Sequence, residues 1–443
     1  MAEDVTGVRH SGPAAARRIA GRALLGVTAA VVAVAGSAVP ADAAPVPDRP
    51  IAGTPVAFAP ADDADRPDQA RDEQWQLEEL NAEAAWRLST GRGVTVAVID
   101  SGVDGTHPDL VGQVLPGYDL VTPGGGPEAD PVGHGTTVAG LIAGRNDDKQ
   151  GVVGLAPDAR ILPVRVLDDE NRYDDALIVA RGVRWAVDNG ARVINLSLGG
   201  SGDSPALAAA LDYAFARDVV VVACTGNVAS STTSAVWYPA REPGVIAVAG
   251  LERNSENLWS GSITGRATVL TAPATGLVGA RPDGYWRVQG TSFAAPLVAA
   301  TAALVRSRYP KMSAGEVVNR LISTARDIGP TGRDDRFGYG LVDPVAALTA
   351  DVPPVTSNPL DDNTSPGVVG FGPAPGLDQD NPVTGVGDPL GFTAPQHQTR
   401  WNARPAGAQD DTAPERLWTG AALFVALVTG AALMVRRLRQ QSR

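Results

Sequence analysis

Five stretches of the chain are short, continuous and apolar: "GVTVAVID" (93–100), "ARILPVRVL" (159–167), "ARVINLSLGG" (191–200), "VVVVACTG" (219–226) and "GVIAVAGL" (244–251). They are rich in β-branched residues and do not alternate with polar ones, the pattern of strands buried on both faces of a parallel sheet. Between them lie longer segments of helical periodicity, "HGTTVAGLIAG", "DDALIVARGVRWAVDNG" and "SPALAAALDYAFARD". Strand and helix in alternation predict an α/β fold, with a doubly wound, mainly parallel sheet flanked by helices. Such sheets bind ligands beyond the carboxyl ends of their strands. That rule singles out Asp100, the stretch Ser197–Gly200 and Gly226-Asn227.

One helical segment departs from the usual pattern. "GTSFAAPLVAATAALVRSRYP" (290–310) is built of small apolar residues, yet it opens on Gly-Thr-Ser and carries a proline four residues after the serine. A serine at that point sits at the positive end of the helix dipole, beside N–H groups that have no intrahelical acceptor. Gly290 permits a sharp start. Pro296 removes a hydrogen bond early in the helix, where the loss costs less than in its middle.

The flanks have a different texture. Arg17, Arg18 and Arg22 precede "ALLGVTAAVVAVAGSAV" and then Ala41-Asp42-Ala43, so residues 1–43 read as a secretory signal peptide. Residues 44–75, rich in Pro, Ala and Asp, read as an extended N-terminal arm, and 76–350 as the folded domain. Residues 351–416 form a Pro/Gly/Asp-rich linker with too little apolar content to fold. Residues 417–435 are apolar over the ~20 positions that a membrane span needs. The basic tail 436–443, "RRLRQQSR", marks the cytoplasmic side. The expected fold class therefore adds one C-terminal transmembrane helix. The expected location is the cell membrane, single-pass, with the domain on the extracytoplasmic side.

Charge and cysteine usage narrow the picture. A net charge of −12 argues against nucleic acid as a partner, since that needs a basic face. Cys224 is the single cysteine, so no intrachain disulfide forms, and we read it as a small core residue.

Three motifs carry the candidate chemistry. "VIDSGVDGTHPDL" ends its strand on Asp100, "VGHGTTVAG" opens a helix at His134, and "GTSFAAP" opens another at Ser292. A serine hydroxyl is a weak nucleophile. It needs a histidine to take its proton and a carboxylate to fix the histidine tautomer. Asn227, at the end of "VVACTGN", can donate its amide to a developing oxyanion.

With these motifs in hand, the chain resembles the subtilisin-like serine proteases over about residues 85–350. "DSGVDGTHPDL", "GHGTTVAGLIAG", "GVVGLAPDARILPVRVL", "VINLSLGG", "ACTGN", "YPA" and "GTSFAAPLVAATAAL" occur in the family's order. The resemblance implies a serine endopeptidase with Asp100, His134 and Ser292 as triad and Asn227 as oxyanion donor. It also implies that Ser197, Leu198 and Gly199 form an edge that binds the substrate backbone by β-augmentation.

The whole layout is similar to the mycosins, the membrane-anchored proteases of type VII secretion, and implies that secretion complex as a partner. Two alternatives stay open: a mainly structural subunit of such a complex, and a general cell-envelope subtilase. The paired cysteines of many mycosins are missing, and the arm is too short and polar for a folded inhibitory prodomain. Many subtilases hold calcium where this chain has Asp109 and "RNDDKQG" (145–151). We read that loop as solvated and charged. No metal ligand is assigned and no cofactor is expected, with structural calcium left open.

Overall fold

A computed structural model describes residues 53–55, 69–122, 130–148, 150–173, 175–231, 233–362 and 401–402. The chain divides into units 1–50 and 51–443, and all described residues belong to the second. The signal peptide at 1–43, the span at 417–435 and the tail at 436–443 lie outside the described residues. Among the described residues no helix is long and apolar enough to cross a membrane.

In chain order the first elements are β1 (Gly53–Pro55), α1 (Gln69–Asp72), α2 (Trp75–Glu79), α3 (Ala82–Trp86), β2 (Thr95–Asp100) and β3 (Tyr118–Asp119). There follow α4 (His134–Ala143), β4 (Arg160–Arg165), β5 (Arg172–Tyr173), α5 (Ala176–Asp188), β6 (Val193–Leu196), α6 (Pro205–Ala216) and β7 (Val220–Cys224). The last are β8 (Ile246–Leu251), β9 (Leu270–Pro273), β10 (Leu277–Arg281), β11 (Gly284–Val288), α7 (Thr291–Arg308), α8 (Ala314–Ser323), α9 (Pro344–Thr349) and β12 (Trp401–Asn402).

Seven strands form the main sheet in the order β3-β4-β2-β6-β7-β8-β9, and every pairing in it is parallel. The five strands read from the sequence are all present, and each is buried along nearly its whole length. Pro163 lies within β4, where it has no amide to give. The short β3 pairs only with Val164 and Arg165, so the gap falls at the edge of the sheet.

α7 packs against β6, β7, β8 and β9 and buries sixteen of its eighteen residues. Its alanines let the helix approach the sheet closely. Each large side chain that it buries, such as Leu297 or Val298, contributes roughly 1.5–3 kcal/mol of transfer free energy.

Several helices carry their own N-caps. Asp175 accepts from Leu177 N, Ser204 from Leu207 N and Asp343 from Ala346 N, and Ser313 forms a reciprocal capping box with Glu316. α4 and α7 do not: each starts on a glycine, Gly133 and Gly290, with no side-chain cap of its own.

A second sheet, β1-β11-β10, is antiparallel. Its hairpin backs α4: Thr137 Oγ1 donates to Ala280 O at 2.8 Å. The stretch expected to be an extended arm contributes β1, which pairs with β11 through Thr54↔Arg287, and the helical turn α1. The first dozen residues of the expected linker fold back onto the domain. Asn358 Nδ2 donates to Gly244 O at 2.8 Å, and Gly244 N donates to Leu360 O at 2.9 Å. Further on, β12 pairs with β5.

Candidate active site

Asp100, Ser197 and Asn227 stand at or just past the carboxyl ends of β2, β6 and β7, three neighbouring strands of the sheet. The fold therefore lines up at one edge the positions that the strand-end rule singled out. The amino ends of α4 and α7 bring His134 and Ser292 to them.

The best-defined contact is His134 Nδ1 to Asp100 Oδ1 at 2.7 Å, with both side chains buried. A carboxylate only accepts, so the imidazole donates from Nδ1 and leaves the Nε2 lone pair as a base. Ser101 N donates to the same Oδ1 at 2.7 Å, while Asp100 Oδ2 is buried and has no partner among the described residues. Phe293 tilts against the imidazole with ring centroids 5.2 Å apart, which limits its swing. The close approach of β2 and α4 requires Gly135: a Cβ there would stand 2.0 Å from Gly102 O.

Ser292 is the second residue of α7 and is 8% exposed, close to the surface of an otherwise buried helix. Its hydroxyl is turned toward Cys224, with Oγ to Sγ at 3.9 Å, rather than hydrogen-bonded to His134. A nucleophile–base pair is often loose without substrate and tightens in the reacting complex. Rotation about χ1 of Ser292 redirects the hydroxyl without moving the backbone.

Asn227 accepts at Oδ1 from Thr291 N and from Thr291 Oγ1, both at 3.0 Å. That leaves Nδ2 as the end of the amide able to donate to a bound group. Gly226 N donates in turn to Thr291 Oγ1 at 3.2 Å, so Thr291 ties the end of β7 to the start of α7. Thr291 N and Phe293 N are occupied, the latter by Gly290 O. The Ser292 N–H lies between them, at a helix end where N–H groups stay available.

Ser197, Leu198 and Gly199 are all buried beside this centre. Ser197 Oγ donates to Ser292 O at 2.6 Å and accepts from Asn195 Nδ2 at 2.9 Å. Gly199 is needed for packing as well, since a Cβ would meet Tyr238 O at 2.7 Å.

Two supporting residues were not singled out from the sequence. Asp130, 6% exposed, accepts from Thr136 N at 2.8 Å and from Gly133 N at 2.7 Å, and so supplies the cap that α4 lacks. It also accepts from Ser101 Oγ at 2.8 Å, and that hydroxyl accepts from Gly135 N at 3.0 Å. Asp130 and Ser101 thus fasten the start of the histidine helix to the residue after Asp100. The available signals were a serine directly after the aspartate and an acid four residues before the histidine.

Among the described residues no group of three or more His, Cys, Asp or Glu side chains is gathered to hold a metal.

Comparison with known proteins agrees with the motif-based resemblance. The pattern of the Subtilase family matches residues 91–340. Fervidolysin of Fervidobacterium pennivorans is 37% identical over 310 residues, covering 63% of this chain; the match spans only 44% of fervidolysin's own length. Subtilisin DY of Bacillus licheniformis is 40% identical over 252 residues, 56% of this chain and 88% of that protein. The crystal structure of MycP1 from the ESX-1 type VII secretion system superposes with a TM-score of 0.60 at 31% identity, over 71% of this chain and 93% of MycP1.

Cys224 offers a test of this environment. Burial pushes its thiol up to about 11, against the opposing hydrogen bonds of Ser292 and Thr291. At neutral pH it is therefore a protonated, fully buried thiol and a poor nucleophile. Iodoacetamide should leave the native protein unmodified and add one carbamidomethyl group after denaturation, read by intact mass. Native alkylation at the rate of an exposed thiol would contradict this geometry.

Proposed function

The chain belongs to the subtilase family of serine endopeptidases, and from that premise we propose that Asp100, His134 and Ser292 are its catalytic triad, acting on polypeptides outside the cytoplasmic membrane. The observation that carries this reading is the 2.7 Å bond from His134 Nδ1 to a buried Asp100, beside a serine at the amino end of α7.

The steps follow from the positions of the groups. A substrate segment lies along the Ser197–Gly199 edge, with its scissile carbonyl at the amino end of α7. Ser292 Oγ turns from Cys224 to His134, gives its proton to Nε2 and attacks the carbonyl carbon. Asp100 stabilises the imidazolium that results. The carbonyl oxygen becomes an oxyanion that accepts from Asn227 Nδ2 and Ser292 N–H. Collapse of the tetrahedral intermediate breaks the C–N bond as His134 returns the proton to the leaving amine. A water molecule then repeats the sequence on the acyl-serine, releasing the new carboxyl end and restoring Ser292.

In the proposed layout a signal peptide (1–43) sends the chain across the membrane and an arm (44–75) leads into the peptidase domain (76–350). A linker (351–416) joins it to one span (417–435) with a basic cytoplasmic tail (436–443). The apolar runs at both ends and the arginines after the second support this topology. The likeness to MycP1, a protein from a type VII secretion system, supports a mycosin-like role in processing substrates of such a system or supporting its membrane complex.

Two measurements check these proposals. Ser292→Ala should abolish peptide hydrolysis. Asn227→Ala should lower kcat by about 10²–10³-fold with little change in KM, the size found for loss of an oxyanion donor in a subtilisin. A raised KM with kcat unchanged would remove Asn227 from the transition state. For the anchor, the full chain should stay in the membrane pellet through an alkaline wash and become soluble when 417–443 is removed. Release of the intact chain by the wash would overturn that topology.

A further inference from the structure

The loop that follows α4 turns several oxygens toward one point, and an arginine from the N-terminal arm fills it. Arg71 Nε donates to Gly151 O at 3.0 Å and Nη2 to Gln150 O at 2.8 Å. Nη1 reaches Asp148 O at 3.4 Å and Asn146 Oδ1 at 3.5 Å, and Asp148 Oδ1 stands 3.9 Å from Nη2. The Arg71 side chain is 21% exposed, so the guanidinium is largely enclosed by these acceptors.

Neighbouring residues of the arm secure it. The Gln74 amide binds Val153 at both ends, donating to O at 2.9 Å and accepting from N at 2.8 Å, and is 3% exposed. Trp75 Nε1 donates to Thr275 O at 3.0 Å, and Arg287 Nε donates to Glu73 at 2.8 Å.

Backbone carbonyls that converge in this way repel one another unless a cation holds them. Oxygen sets of this kind suit calcium. Here the oxygens are engaged by five-donor guanidinium geometry. The nearby Asp109 carboxylate is engaged as well, accepting from Val152 N at 2.7 Å. A divalent ion among the same oxygens would face a fixed positive charge and find its ligands taken. The calcium that the family resemblance left open does not fit this loop as built.

We propose that Arg71 is the built-in cation of the loop 146–151, standing where a divalent ion would otherwise be needed, so that the arm and not a metal holds the carboxyl end of the histidine helix. The arm then grips α4 from two directions. Arg71 and Gln74 hold the loop beyond its last residue, and β1 extends the hairpin on which the helix packs. The proposal is independent of the triad assignment, because it concerns stability and ion response rather than hydrolysis.

The test uses the full chain in detergent, melted with excess chelator or with millimolar calcium, as wild type, Arg71→Met and Arg71→Lys. Arg71→Met keeps the aliphatic stem and removes the donors. Wild type should melt at one temperature in both conditions. Arg71→Met should melt lower by several degrees, about 2–4 °C for each kcal/mol lost in a domain of this size, and calcium should raise it. Arg71→Lys, which keeps the charge without the fork, should fall between and covers the case in which the Met variant does not fold. Wild type that melts lower in chelator, or variants that melt like wild type, would overturn the proposal.

Discussion

The hydrogen bond between His134 and Asp100 is the contact that the surrounding structure has to hold in place. It joins the last residue of a central strand to the first residue of a helix, at 2.7 Å between two buried side chains. A charge-assisted bond of this kind is worth about 1.5–3 kcal/mol, too little to place a helix. The placement comes from packing instead: all ten residues of α4 are buried, and Gly135 lets its first turn lie against Gly102. The fold holds the bond at its length, and the bond in turn fixes which imidazole nitrogen is free to act as base.

The caps show how far this constraint reaches. α5, α6, α8 and α9 are capped by the residue that precedes them, as isolated helices are. α4 and α7, which carry His134 and Ser292, start on glycines and borrow their acceptors. Asp130 serves α4 and Asn227 serves α7. The borrowed caps are side chains that also touch the site, so helix position and site geometry are coupled. A loss of Asp130 would loosen the start of α4 and the Ser101 contact together. For Asn227, the oxygen anchors Thr291, and the proposed mechanism uses the nitrogen of the same amide as oxyanion donor.

Much of this was legible in the sequence because burial on both faces leaves a strong mark. The five inner strands appear as β-branched runs, and the structure trims no end by more than four residues, where the runs pass into loops. The edge strands β3 and β9 were not read, since one is two residues long and the other ends at Pro273. The β10–β11 hairpin was also missed, although Pro282-Asp283-Gly284 is a turn signal, because the flanking residues are mixed in polarity. The candidate residues at strand ends were singled out by the strand-end rule, and those at helix starts by their motifs. Those that act through hydrogen bonds across gaps in the chain, such as Asp130 and Ser101, were not, because a polar residue in a loop has the same appearance in sequence whether it is solvated or buried. Arg71 is the extreme case: it lies in a polar stretch that reads as unstructured, yet its partners are 75 to 80 residues away.

The proposed mechanism requires Ser292 to be a reactive nucleophile. The most direct measurement is fluorophosphonate labelling of the folded full chain, read by intact mass, with Ser292→Ala as control. One adduct per chain is expected, located on Ser292 and absent from the alanine variant. A folded chain that takes up no label, or an adduct that persists in Ser292→Ala, would contradict it.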